Sequence, residues 1–86
     1  MKYFVYFLKS IKDEHYYIGC TTNPEKRLIE HNSGSNQSTK KWKLWKLIYT
    51  EEYDDKHSAF KREWHLKHPK GYLDKINIIK NYGSVA

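Results

Sequence analysis

The sequence predicts an α+β fold in which a small three-stranded, antiparallel β-sheet is flanked by helices. Three β-rich apolar runs, at residues 3 to 9, 15 to 21 and 44 to 53, supply the strands. Between and after them lie three segments with helix-start signals or helical apolar spacing, near residues 23 to 31, 56 to 67 and 73 to 82. A chain of 86 residues has the material for one modest hydrophobic core, so residues 1 to 86 are expected to form a single domain.

The first two runs are separated by the polar stretch Ser10-Ile11-Lys12-Asp13-Glu14, which predicts a hairpin. A hairpin centred near Ile11 and Lys12 sets Tyr6 opposite Tyr17 on the neighbouring strand, and a slip of one residue would separate their faces. Thr22-Asn23-Pro24-Glu25 then reads as a helix start. Thr22 or Asn23 serves as cap, Pro24 fits the first turn and Glu25 suits the positive end of the helix dipole. This helix is expected to reach about His31. The breaker-rich residues 32 to 39 predict a mobile loop leading to Lys40, Lys41, Trp42 and Lys43.

Leu44 to Tyr53 carries Trp45, Leu47, Ile48, Tyr49 and Tyr53 and reads as the third strand. Asp54-Asp55 offers a cap for a helix from Lys56 to about Lys67, which places Ala59, Phe60, Glu63, Trp64 and Leu66 at helical spacings and should stop at His68-Pro69. Glu63 thus falls on or beside a buried face. After the turn Pro69-Lys70-Gly71-Tyr72, Leu73, Ile76 and Ile79 mark a last amphipathic helix ending near Tyr82-Gly83.

Composition narrows the function classes. Sixteen Lys and Arg against ten Asp and Glu leave a formal charge of +6, which favours an anionic partner and nucleic acid above all. Eight tyrosines, three tryptophans and three phenylalanines supply large buried areas to a small core. A single cysteine, Cys20, admits no intrachain disulfide and fits a reducing compartment, the cytoplasm. The apolar opening from Tyr3 to Leu8 is too short to span a membrane and lacks a signal-peptide cleavage pattern, so neither a membrane nor a secreted location is expected.

The chemistry available is that of a phosphodiester. Hydrolysis needs an aligned water, positive charge against the phosphoryl oxygens and, as a rule, a divalent metal held by a carboxylate. Tyr6 and Tyr17 can position or deprotonate water, Arg27 can fork onto phosphate, and Glu63 can hold a metal. A free phenol, with a pKa of about 10, needs help from nearby cations or a metal to act as base. Arg27 and His31, four apart on one predicted helix, share a face, with Lys26 beside them. Taken one at a time these residues have plainer explanations: strand tyrosines that pack, a solvated helix arginine, and a Glu63 paired with Lys67. His65 and His68 lack further ligands at convincing spacing for structural zinc, and Cys20 has no sequence-local activator. Lys40, Lys41, Trp42 and Lys43 can track a nucleic-acid backbone and stack on a base, or form a solvated loop.

Phe4-Val5-Tyr6, then Tyr17-Ile18-Gly19, then Arg27 and His31-Asn32-Ser33-Gly34, then Lys61-Arg62-Glu63 after Ser58-Ala59, form an ordered set covering nearly the whole chain. The set resembles the GIY-YIG nuclease superfamily, and in particular its small stand-alone bacterial members, with Phe4 standing where the family name has glycine. The resemblance implies a three-stranded sheet flanked by helices. It also implies hydrolysis of DNA, with RNA kept open as substrate, using one Mg2+ or Mn2+ ion, and functional positions at Tyr6, Tyr17, Arg27, His31 and Glu63, the last holding the metal. The alternative expectation is a nucleic-acid-binding module without cutting, or a nuclease whose substrate affinity comes from a protein partner.

Overall fold

In the computed structural model the described residues are 1–12, 14–33 and 44–83. Three strands, β1 (Tyr3–Ser10), β2 (Tyr16–Thr21) and β3 (Trp45–Tyr53), form an antiparallel sheet in the order β2-β1-β3. Three helices, α1 (Pro24–Ser33), α2 (Lys56–Lys67) and α3 (Tyr72–Tyr82), complete the α+β fold, with a 3-10 turn at Pro69–Gly71 before α3.

The central strand explains where the helices go. Val5, Tyr6, Phe7 and Leu8 are all fully buried, so β1 is apolar on both faces and each face needs a cover. On one face Val5 and Phe7 join Ile18, Ala59 and Leu66 of α2 and Ile78 of α3. On the other, Tyr6 and Leu8 join Trp45, with Tyr17, Leu47 and Leu28 of α1 packed around them. Phe4 continues the ladder to Thr21 and Glu52, so a side chain at this position leaves the pairing regular.

The hairpin register differs from the expected one. Tyr6 pairs with Gly19 and Tyr17 with Leu8, a shift of two residues from Tyr6 opposite Tyr17. The turn sits further along than Ile11 and Lys12 because the Ser10 amide donates to the His15 carbonyl at 2.9 Å, closing a longer connection. Since side chains alternate with period two, a two-residue shift keeps both tyrosines on one face, as diagonal neighbours. Strand β3 also departs from plain alternation. Its register slips between Phe7 and Leu8, which pair with Tyr49 and Leu47. The extra residue, Ile48, lets Ile48 and Tyr49 both serve the α2 face while Leu47 serves the α1 face.

Local caps match the sequence. Asn23 Oδ1 accepts from the Lys26 amide at 3.1 Å, with Pro24 first in the helix, and Asp55 accepts from the Ser58 amide at 2.9 Å. Helix α1 runs two residues past His31, to Ser33, because Asn32 has a partner outside the helix. Its side chain accepts from the Trp45 amide at 2.6 Å and donates to the Trp45 carbonyl at 3.0 Å, tying the last turn of α1 to the start of β3. Leu44, just before, has φ 72°, and its carbonyl accepts from the Ile11 amide at 2.9 Å. The left-handed backbone costs a non-glycine residue about 1 kcal/mol, offset by the contacts that flank it. Of the loop expected over residues 32 to 39, Asn32 and Ser33 instead close α1, and residues 34–39, with Lys40, Lys41, Trp42 and Lys43, lie outside the described residues. Among the described residues no helix is long and apolar enough to cross a membrane.

One acid sits within the aromatic face. Glu51, opposite Val5, accepts hydrogen bonds from Tyr49 at 2.6 Å, Tyr53 at 2.7 Å, and Arg62 Nε and Nη2 at 2.9 and 3.0 Å. Arg62 Nη1 continues to Asp74 of α3 at 3.2 Å, so one guanidinium joins β3, α2 and α3. Burial alone would raise the Glu51 pKa, but Arg62 and the two phenols outweigh it and hold the carboxyl below its usual range. Glu51→Ala is expected to cost on the order of 2 kcal/mol in urea unfolding, less than for a fully buried pair because Arg62 keeps some solvent contact. The group's stabilisation is present above the ordinary carboxylate pKa and lost as pH falls through its depressed value. Parent and variant stabilities should therefore converge in acid. Equal stability at neutral pH would show that Glu51 does not organise this face.

Candidate active site

The candidate side chains gather along β2, one of the two edge strands, with α1 side chains on one face and α2 side chains on the other. Gly19 sets the geometry. A Cβ there would lie 2.5 Å from the Tyr6 hydroxyl oxygen and 2.6 Å from the ring carbon bearing it. The Tyr6 ring therefore lies across its cross-strand partner and carries its hydroxyl out towards the sheet edge, which a strand glycine permits and any side chain would block.

Tyr6 Oη lies 3.2 Å from His31 Nε2, and the Tyr17 ring packs on His31 with centroids 4.6 Å apart and on Tyr6 at 6.1 Å. His31 is fully buried, and α1 brings it here together with Pro24, Arg27 and Leu28, at the spacing of a sheet-facing stripe. Arg27 Nη1 donates to Glu30 at 3.0 Å, its guanidinium stands beside the Tyr6 hydroxyl, and its buried Nε has no hydrogen-bond partner among the described residues. Burial pushes the Tyr6 phenol up to about 12 in spite of the adjacent Arg27. Burial, then the Arg27 charge, lowers the His31 pKa, so the imidazole is neutral at pH 7.

Glu63 reaches the same edge from α2. Its Oε2 accepts from Lys67 Nζ at 2.7 Å, and that ammonium also stands 5.8 Å over the Tyr17 ring. Burial raises the Cys20 thiol, with the Glu63 charge next; burial also raises the Tyr6 phenol, with Tyr17 and, least, Glu63 adding to it. The Glu63–Lys67 pair, the plainer explanation of Glu63, is present, and its lysine stands against the Tyr17 ring.

Of the five expected site residues, Tyr6, Tyr17, Arg27 and His31 pack together here, Glu63 joins them through Lys67, whose ammonium stands over the Tyr17 ring, and Lys26 is exposed on α1 next to Arg27. The expected metal ligand is a lone carboxylate. Among the described residues no group of three or more His, Cys, Asp or Glu side chains could form a cage. Four residues that had no site role in the sequence reading support the site, Lys67 among them having been named only as an ordinary partner of Glu63. Gly19 makes room for Tyr6, Glu30 orients Arg27, Asn32 anchors the helix turn carrying His31, and Lys67 neutralises Glu63. Only Glu30 and Lys67 had a local signal, at three and four residues from their partners.

Gly19→Ala is expected to cost about 1–3 kcal/mol in urea unfolding, since the Tyr6 ring must leave its place. A variant as stable as the parent would refute the close approach. Tyr6 and Tyr53 are both pushed up to about 12, from an ordinary value of 10.0. Below the ordinary value their stabilising effect is complete, and it is lost as pH rises through the shifted values. Tyrosinate absorbance of the folded protein should show phenols silent at pH 11, with stability falling across the same alkaline window.

Comparison with known proteins bears on the family and the fold. Residues 2–77 match the GIY-YIG catalytic domain. The UPF0213 protein YsiG of Lactococcus lactis subsp. lactis (strain IL1403) is 40% identical over 81 residues, covering 93% of this chain and 77% of that protein. The structure-specific endonuclease subunit SLX1 of Debaryomyces hansenii is 38% identical over 77 residues, 78% of this chain but 22% of that longer protein. The solution structure of the UPF0213 protein BH0048 from Bacillus halodurans superposes with a TM-score of 0.56 at 27% identity, over 96% of this chain and 88% of that one. By sequence match over most of its length and by fold, the chain belongs to the GIY-YIG catalytic-domain family, beside the small UPF0213 proteins.

Proposed function

We propose that this protein is a metal-dependent endonuclease that hydrolyses phosphodiester bonds in DNA. The observation that carries this is the convergence of Arg27, His31, Tyr6 and Tyr17 with the Glu63 carboxylate at one sheet edge. The net charge of +6 suits an anionic polymer.

Each residue has a distinct task. Arg27 has Nη1 committed to Glu30 and keeps further N–H donors for the phosphoryl oxygens, where negative charge grows in the transition state. Tyr6 is fully buried and acts as a positioning residue that fixes His31 and abuts Arg27. Tyr17 is partly exposed and is the phenol able to meet a water. It aligns that water as its oxygen bonds to phosphorus and the ester P–O bond breaks. The water's proton leaves to solvent, and the departing oxygen takes one from solvent.

Glu63 fits a magnesium site of the substrate-completed kind. Such an ion takes one or two protein carboxylates and fills its shell with waters and substrate phosphates, and only Oε2 of Glu63 is engaged, by a lysine that can turn aside. Bound there, Mg2+ or Mn2+ would supply positive charge against the phosphate and lower the pKa of a nearby water.

A partner-dependent nuclease is the second reading. It is favoured by the name of the Debaryomyces hansenii relative, a subunit, and by the small surface of a domain this size. A role in repair or recombination would follow from a preference for branched substrates.

Labelled single-stranded, duplex, flapped and branched DNA, incubated with Mg2+, Mn2+ or chelator, tests the proposal. Cutting that requires the metal is expected. Arg27→Ala should slow it by about 100- to 1,000-fold, and Glu63→Ala at least as much, with thermal unfolding little changed. A folded Glu63→Ala protein that cuts at the parent rate would exclude the assignment. Binding without any cutting would move the function to the non-catalytic or partner-dependent form.

A further inference from the structure

Helix α2 buries Ala59 and Leu66 against the sheet and turns aromatic rings the other way, with Phe60 48% and Trp64 54% exposed. Lys56, Phe60, Trp64 and His68 are spaced by four, which places them in one stripe along the helix and its cap. The stripe is ordered. Lys56 Nζ stands 5.3 Å over the Phe60 ring, and the His68 imidazole stacks on Trp64 with centroids 3.6 Å apart and planes 24° apart. His68 Nδ1 donates to the Trp64 carbonyl at 3.0 Å, which fixes the imidazole in that stack. A cleft of about 340 Å³ is lined by Phe60, Trp64 and His68 together with Glu63 and Lys67, so the aromatic stripe borders the candidate active site at its Glu63 end.

Charge indicates what covers this face. Lys56 lies at one end and Lys67 beside the other, and the one acid in the cleft, Glu63, is neutralised by Lys67. Flat rings flanked by cations suit nucleobases on a phosphate backbone, because every base offers a face to stack on. Rings four residues apart on a helix are separated by about 6 Å along its axis, within reach of successive bases of an extended strand. An intact duplex hides its base faces inside the stack and gives these rings nothing to hold.

We propose that Phe60, Trp64 and the His68 stacked on it are a platform for unpaired bases adjoining the phosphodiester presented to Glu63, so that the site takes single-stranded nucleic acid in preference to uninterrupted duplex. This deepens the nuclease function proposed above and rests on it. The platform sets substrate class through binding and takes no part in the chemistry.

The test is fluorescence anisotropy in chelator with labelled oligothymidine and with a blunt duplex of equal length. The parent should bind oligothymidine more tightly. Trp64→Ala should weaken that binding by about tenfold while changing duplex affinity by less than about twofold, and Trp64→Phe, which keeps a ring, should restore most of the loss. Trp64 is exposed, so the variants should keep the parent circular dichroism. Unchanged oligothymidine binding by Trp64→Ala, or equal losses on both probes, would overturn the platform. So would sedimentation showing a dimer that Trp64→Ala dissociates, since the stripe would then be a contact between copies. A parent that binds neither probe would overturn the platform while leaving the partner-dependent nuclease in place. A parent that cuts duplex with Mg2+ while Trp64→Ala binds like the parent would remove the platform alone.

Discussion

The double-sided burial of β1 is the constraint from which the rest of the architecture follows. A strand with Val5 and Phe7 on one face and Tyr6 and Leu8 on the other cannot leave either face to water. It therefore takes a strand on each edge and helices on both faces, α1 over Tyr6 and Leu8, α2 and α3 over Val5 and Phe7. The same arrangement delivers the site. The helix on one face carries Arg27 and His31, a helix on the other carries Glu63 and Lys67, and both sets reach Tyr17 of β2, one edge of the sheet.

A thin edge alone would not bring them together, since the phenol of β1 starts one strand in from the rim. Gly19 closes that gap. With no side chain on the partner residue, the Tyr6 ring spans β2 and sets its hydroxyl among His31, Arg27 and the field of Glu63. The consequence is also electrostatic. A phenol this buried keeps its proton, and burial, then the Arg27 charge, lowers the His31 pKa, so Arg27 is the cation beside these two rings.

Polar groups do the fastening that a small core cannot. Glu51 collects two phenols and a bidentate arginine, and Arg62 passes the connection on to Asp74. Asn32 does similar work across the α1 face by pairing with both backbone groups of Trp45. Each network satisfies groups that would otherwise be costly to bury, and each joins elements distant in the chain. Both frame the site: Asn32 follows His31 directly, and Arg62 precedes Glu63.

Much of this was legible in the sequence, because strands, caps and helical stripes are short-range patterns. The three apolar runs, the Asn23-Pro24 start, the Asp55 cap and the shared face of Arg27 and His31 depend on residues within a few positions of one another, and all appear as read. The two-residue register shift, the Ile48 bulge and the extension of α1 to Ser33 were not legible, because each is set by a contact with another segment: Ser10 with His15, Phe7 and Leu8 with β3, Asn32 with Trp45. The sequence by itself determined which residues could take part in phosphodiester chemistry and on which elements they lie. Only the tertiary structure decided that Tyr6 is buried and Tyr17 reachable, that Glu63 meets Lys67 at the edge, and that Glu51 needs Arg62, because burial and electrostatic partnership are properties of packed surfaces and not of neighbouring letters.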